Sequence, residues 1–106
     1  MATVSKKILR GRPVGTKSSD PMIAKAFGQA VVVLRTSKGL SQEAVGLGAG
    51  IGRSNMSAIE NGRTVPNLVG VVKIATSLGC SLPVLAREFE RAYKEILQDP
   101  EGIANK

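Results

Sequence analysis

The chain has 106 residues, with 15 Lys and Arg against 8 Asp and Glu, no histidine and one cysteine, for a formal net charge of +7. That length allows one domain with a modest core and leaves no room for a second, ligand-sensing domain; the lone Cys80 excludes an intramolecular disulfide and reads as a small buried hydrophobe. Without histidine, a cysteine cluster or an acid pair in a recognisable motif, neither a proton-transfer site nor a metal site can be assembled from spacing, so no enzyme activity and no cofactor are expected.

Residues 1–19 carry Lys6, Lys7, Arg10, Arg12 and Lys17, no acid and no apolar period, which predicts a mobile basic arm holding five of the seven net charges. Order begins at Asp20 and Pro21, a cap followed by a residue suited to the first helical turn. Ile23, Phe27, Ala30, Val31 and Leu34 then share one face until Gly39. Ser41 caps a second helix in which Val45 and Ala49 point inward, and Gly50 ends it with a left-handed turn. Ile51 plugs the turn and Gly52 caps a third helix that buries Met56 and Ile59 and turns Arg53, Ser54, Asn55, Ser57 and Ala58 outward. Such a face, polar and with few bulky groups, can enter a groove.

Asn61 and Gly62 stop the third helix, and Asn67 caps a fourth with Leu68, Val71, Val72, Ala75 and Leu78 expected inside, closed by Gly79. Ser81 and Pro83 start a fifth that runs to Gln98, before Asp99 and Pro100. Its stripe of Leu82, Leu85, Phe89, Ala92 and Ile96 must be covered, either by the first helix or by a second subunit. The subunit is the preferred reading, with Leu85, Phe89, Ala92, Tyr93 and Ile96 as the dimer interface. The domain boundaries that follow are 1–19 for the arm, 20–82 for the helical domain, 83–98 for the dimerising helix and 99–106 for a tail.

The segments Leu34-Arg35, Lys38 to Glu43, Ala49-Gly50, Ser57, Ile59 to Arg63, Pro66 and Leu78-Gly79 together resemble the Cro/CI-type helix-turn-helix proteins, the XRE family, over about Phe27 to Leu85. The resemblance implies an all-α fold, a five-helix lambda-repressor-like DNA-binding domain, here with a basic arm and an extended last helix. It further implies a symmetric dimer on operator DNA with the third helix in the major groove. By motif position, Gln42 and Asn61 hold phosphate, and Arg53, Ser54, Ser57 and Ala58 read base edges, with Asn55 near a base or phosphate. Arg35 and Glu60 match a structural ion pair. Two departures stand out: Val32 and Val33 replace polar residues, and Gly48 replaces an exposed helix former, which predicts a weaker second helix.

Other features keep two readings. Arg53 pairs with the O6 and N7 of guanine or clamps phosphate at the groove edge. Arg63, the best placed of Lys38, Arg63 and Lys73, flanks the DNA backbone or is solvated. Arg10-Gly11-Arg12-Pro13 resembles the core of an AT-hook, for which minor-groove insertion, nonspecific phosphate attraction and no DNA role remain open. The alternating Gly46, Gly48, Gly50 and Gly52 fail the spacing of a dinucleotide loop. The expected function is a sequence-specific double-stranded DNA-binding transcriptional regulator, a repressor acting as a homodimer on an inverted repeat. The alternative is an antitoxin-like module whose last helix covers a protein partner. No apolar run approaches the ~20 residues of a membrane span, so no membrane partner is expected and the protein is placed in the cytoplasm, on the nucleoid.

Overall fold

A computed structural model describes residues 20–98, and the secondary structure of these residues is helical: α1 Pro21–Ser37, α2 Gln42–Ala49, α3 Arg53–Glu60, α4 Leu68–Leu78 and α5 Leu82–Gln98. The arm, with Arg10 and Arg12, and the tail at 99–106 lie outside the described residues.

Local chemistry sets most of the boundaries. The Asp20 carboxylate accepts from the N–H groups of Met22 and Ile23 at 2.9 and 3.1 Å, with Pro21 in the first turn, where a missing N–H costs nothing. Ser41 Oγ accepts from the Ala44 N–H and Asn67 Oδ1 from the Gly70 N–H, each at 3.0 Å. Gly50, at φ 72°, lets the chain turn back so that the Ile51 N–H donates to Gly46 O at 2.8 Å; a residue with a Cβ is strained in that conformation.

One core joins all five helices. Phe27, Ala30 and Val31 of α1 meet Val45 and Ala49 of α2, Met56 and Ile59 of α3, Ile74, Ala75 and Leu78 of α4, and Leu85 of α5. Ile51 and Cys80 are half-buried against it. Closeness is set by glycine where α1 crosses α3: a Cβ on Gly28 would lie 2.6 Å from the carbonyl oxygens of both Ile59 and Glu60.

Three expectations change. First, α4 is rotated from the phase expected: Leu68 is 71% exposed and Val72 43%, while Ile74 is fully buried. The sequence of α4 is apolar nearly all round in its first two turns, so periodicity does not fix its phase there. The second half, where only Ile74, Ala75 and Leu78 are apolar among Lys73, Thr76 and Ser77, sets the face that enters the core.

Second, the stripe on α5 is covered within the chain. Leu85, Ala92 and Ile96 are buried, and a second cluster packs Ala26, Ala92 and Ile96 with Met22, Phe89 and Tyr93, so α5 lies along α1. Phe89 stands 6.4 Å from Phe27 and stacks on Tyr93 at 5.8 Å between ring centres. Packing within one chain thus takes up Leu85, Ala92 and Ile96 of the stripe expected at a dimer interface, while Phe89 and Tyr93 stay half-buried and Leu82 is 41% exposed. The same packing removes the free apolar helix on which the antitoxin-like reading rested.

Third, Gly48 is a close-packing residue rather than a flaw in α2. A Cβ there would collide with Ser77 Oγ and lie 3.2 Å from Ser77 Cβ, and Ser77 Oγ donates to Val45 O at 2.8 Å. This hydrogen bond draws α2 against α4, and glycine makes room for it. Of the two unusual valines, Val32 is half-buried and Val33 is 40% exposed.

Candidate nucleic-acid interface

The exposed face of α3 is built from its own amphipathicity. Met56 and Ile59 enter the core, three positions apart, which leaves Arg53, Ser54 and Asn55 exposed and Ser57 and Ala58 half-buried on the flank. The five residues expected to read bases thus share one short helix, and those with the greatest reach lie in its first turn.

Behind this face sits a buried carboxylate. The side chain of Glu60 is 4% exposed and that of Arg35 17%; Arg35 Nε donates to Glu60 Oε2 at 2.7 Å and Nη2 to Oε1 at 3.0 Å, a two-pronged pair that pins α3 to α1. Arg35 Nη1 donates to Leu40 O at 2.9 Å, tying in the turn before α2. A third donor completes the carboxylate: Gln42 Nε2 to Glu60 Oε1 at 2.9 Å. Because a carboxylate only accepts, this contact fixes which end of the Gln42 amide faces inward. Gln42, half-buried at the start of α2, therefore has one amide N–H left for another acceptor.

After α3, Asn61 is exposed and its Nδ2 donates to Ser57 Oγ at 3.2 Å, while the exposed Arg63 is anchored through its backbone N–H to Ala58 O at 2.9 Å. Gln42, through its bond to Glu60, and Asn61 and Arg63, which follow the helix, thus gather at the C-terminal end of α3. Lys38 is occupied differently: its Nζ donates to Gly79 O at 3.2 Å, closing the end of α4. The exposed Glu43 stands beside Arg53, with Oε2 and Nη2 3.6 Å apart.

Sequence reasoning did not find the Gln42 to Glu60 bond, the Glu43 to Arg53 contact or the requirement for glycine at 28. The first two join residues 18 and 10 apart, and the third joins separate helices, so no local pattern carries them.

This arrangement is that of a helix-turn-helix: a short buried-faced α2, a tight turn at Gly50 and a polar α3 presented to solvent. A helix-turn-helix family profile matches residues 33–85. The SPbeta prophage-derived uncharacterized HTH-type transcriptional regulator YonR of Bacillus subtilis (strain 168) is 35% identical over 79 residues, 73% of this chain and 73% of the relative. Among solved structures, the restriction-modification controller protein C.AhdI from Aeromonas hydrophila is similar with a TM-score of 0.56 and 39% identity, over 58% of this chain and 94% of that one. The clp gene regulator ClgR from Corynebacterium glutamicum has a TM-score of 0.69 over 80% of this chain and 89% of its own, at 20% identity, and supports the fold. The protein is a DNA-binding helix-turn-helix transcriptional regulator. It belongs to the Cro/CI-type, or XRE, helix-turn-helix family. Among the described residues no single helix is long and apolar enough to cross a membrane.

Proposed function

We propose that the protein is a sequence-specific repressor that binds an inverted-repeat operator as a homodimer, with α3 in the major groove. The observation that carries this reading is the α3 face itself: one arginine fork and short polar side chains exposed on a helix whose other side is locked into the core. Arg53 is assigned to the O6 and N7 of guanine, where a two-pronged contact discriminates by about 1–3 kcal/mol. Ser54 and Asn55 reach neighbouring base edges, and Ser57 and Ala58, half-buried and short, give clearance or meet a thymine methyl. Gln42, at the start of α2, and Asn61, just after α3, are assigned to phosphates, with Arg63 beside Asn61. The arm, with Arg10 and Arg12, adds phosphate attraction or enters the minor groove.

Two copies are needed for physical reasons. An eight-residue helix is about 12 Å long and reads only a few base pairs, too few for a selective site. A symmetric pair doubles the reading and sets half-site centres about 34 Å apart. With most of the α5 stripe packed on α1, the side chains assigned to the second copy are exposed aliphatics, Leu68, Val69 and Val72 on α4 and Leu82 and Val84 on α5. Leu82 also lines an apolar groove of about 250 Å³ together with Leu85 and Phe89 of α5, Phe27 of α1, and Val65 and Val71. Repression follows from occupancy of a promoter alone, and the site of action is the nucleoid in the cytoplasm. Titrating the protein with duplex DNA while following backbone amide resonances tests the assignment: shifts should gather at Gln42, 53–58 and 61–63, and shifts centred on the outer face of α5 would refute it.

A further inference from the structure

The charged residues between Ser41 and Arg63 are four: Glu43, Arg53, Glu60 and Arg63. Glu60 is buried against Arg35, which leaves Glu43 as the segment's one exposed carboxylate, and it lies beside the one basic residue of α3. The side chains of Glu43 and Arg53 are 73% and 77% exposed, so the pair contributes little to folding. Yet a carboxylate on this face repels phosphate and weakens binding to every duplex. Its placement is costly for affinity, and the modest stabilisation that an acid gives the first turn of α2 does not require it to stand beside Arg53.

The contact distance indicates a use for this proximity. At 3.6 Å the Glu43 to Arg53 contact is electrostatic and longer than a hydrogen bond, so the guanidinium keeps its N–H donors free. What it loses is net charge and freedom to swing. A phosphate rewards charge and accepts from almost any direction, whereas the O6 and N7 edge of guanine is uncharged and rewards two donors held in one plane.

We propose that Glu43 is a specificity-determining positioning residue, whose carboxylate steadies the Arg53 guanidinium and offsets its charge so that Arg53 gains little from phosphate and most from a base edge with two adjacent acceptors. This deepens, and rests on, the assignment of α3 to base reading.

The test uses the full chain and three duplexes: the operator obtained by selection, the operator with the base pair read by Arg53 replaced, and a scrambled sequence. Affinities are measured by fluorescence anisotropy for wild type, Glu43→Gln, Arg53→Ala and the double variant. Glu43→Gln should tighten binding to the scrambled duplex more than to the operator. Discrimination should fall by about two- to fivefold, the range an exposed ion pair supports. In the Arg53→Ala background the same substitution should change all three affinities by one common factor. The slope of log affinity against log salt on scrambled DNA should steepen by up to about one phosphate's worth, ~0.9.

If Glu43 serves only as an acid at the start of α2, Glu43→Gln lowers the melting temperature and leaves discrimination unchanged. That result overturns the proposal while the role of Arg53 stands. Discrimination that survives Arg53→Ala, or a chain that selects no sequence, overturns both.

Discussion

Glu60→Ala removes a carboxylate that is 4% exposed and accepts three hydrogen bonds, two from Arg35 and one from Gln42. Among the described residues, the Arg35 guanidinium, 17% exposed, is then left with Leu40 O as its one remaining acceptor. Breaking a buried pair on one side costs about 3–5 kcal/mol, and some access of water to Arg35 favours the lower end, ~3 kcal/mol. Against a total stability of roughly 5–15 kcal/mol this is a large share. At ~4–8 °C per kcal/mol for a domain of this size, the melting temperature should fall by about 12–24 °C. Glu60→Gln should fall between the two, because its amide keeps one acceptor oxygen but turns an NH2 group toward donors. Thermal unfolding followed by circular dichroism at 222 nm measures both variants; operator affinity should decline only as far as the chain unfolds. A melting temperature within about 2 °C of wild type for Glu60→Ala would refute the reasoning, since it corresponds to less than about 0.5 kcal/mol.

Gly28→Ala places a Cβ against two backbone carbonyls that cannot rotate away. An overpacking cost of up to ~3 kcal/mol, offset by ~1 kcal/mol of helix propensity, should lower the melting temperature by roughly 8–16 °C; an unchanged or higher value would contradict the close crossing. Val69→Asp, at a site 62% exposed, should leave the helical content intact and convert a dimer to a monomer in sedimentation equilibrium; a dimer that persists would move the interface elsewhere. Deleting residues 1–19 removes five basic side chains and should both weaken duplex binding and flatten its salt dependence. An unchanged slope would rule out any role of the arm on DNA.

The boundaries of the fold were legible because they are written locally: Asp20, Ser41 and Asn67 cap through their own side chains, and Gly50 and Gly79 end helices by admitting a positive φ. The outward placement of Arg53, Ser54 and Asn55 was legible too, since Met56 and Ile59 fix the helix's phase, whereas Ser57 and Ala58, expected outward, are half-buried on its flank. The Arg35 to Glu60 pairing came from family resemblance, because nothing in spacing joins residues 25 apart; the geometry then shows both ends of the carboxylate engaged. Less readable was α4, where seven apolar residues among eleven leave several phases open until the core selects one. The partner of the α5 stripe could not be read from the stripe. Ala26 and Ala92, both buried, seat α5 on α1, and small residues carry little weight in a hydrophobic pattern. Gly48 looked like a weakness because its reason, Ser77, lies on another helix.

Selection of bound sequences from a random duplex library at about 150 mM salt, where purely electrostatic binding is suppressed, tests the central claim most directly. The account predicts an enriched inverted repeat with a guanine in each half, its centres about one helical turn apart, and loss of selection at that guanine with Arg53→Ala. Binding without enrichment of any sequence, or an enriched site without two-fold symmetry, would contradict it.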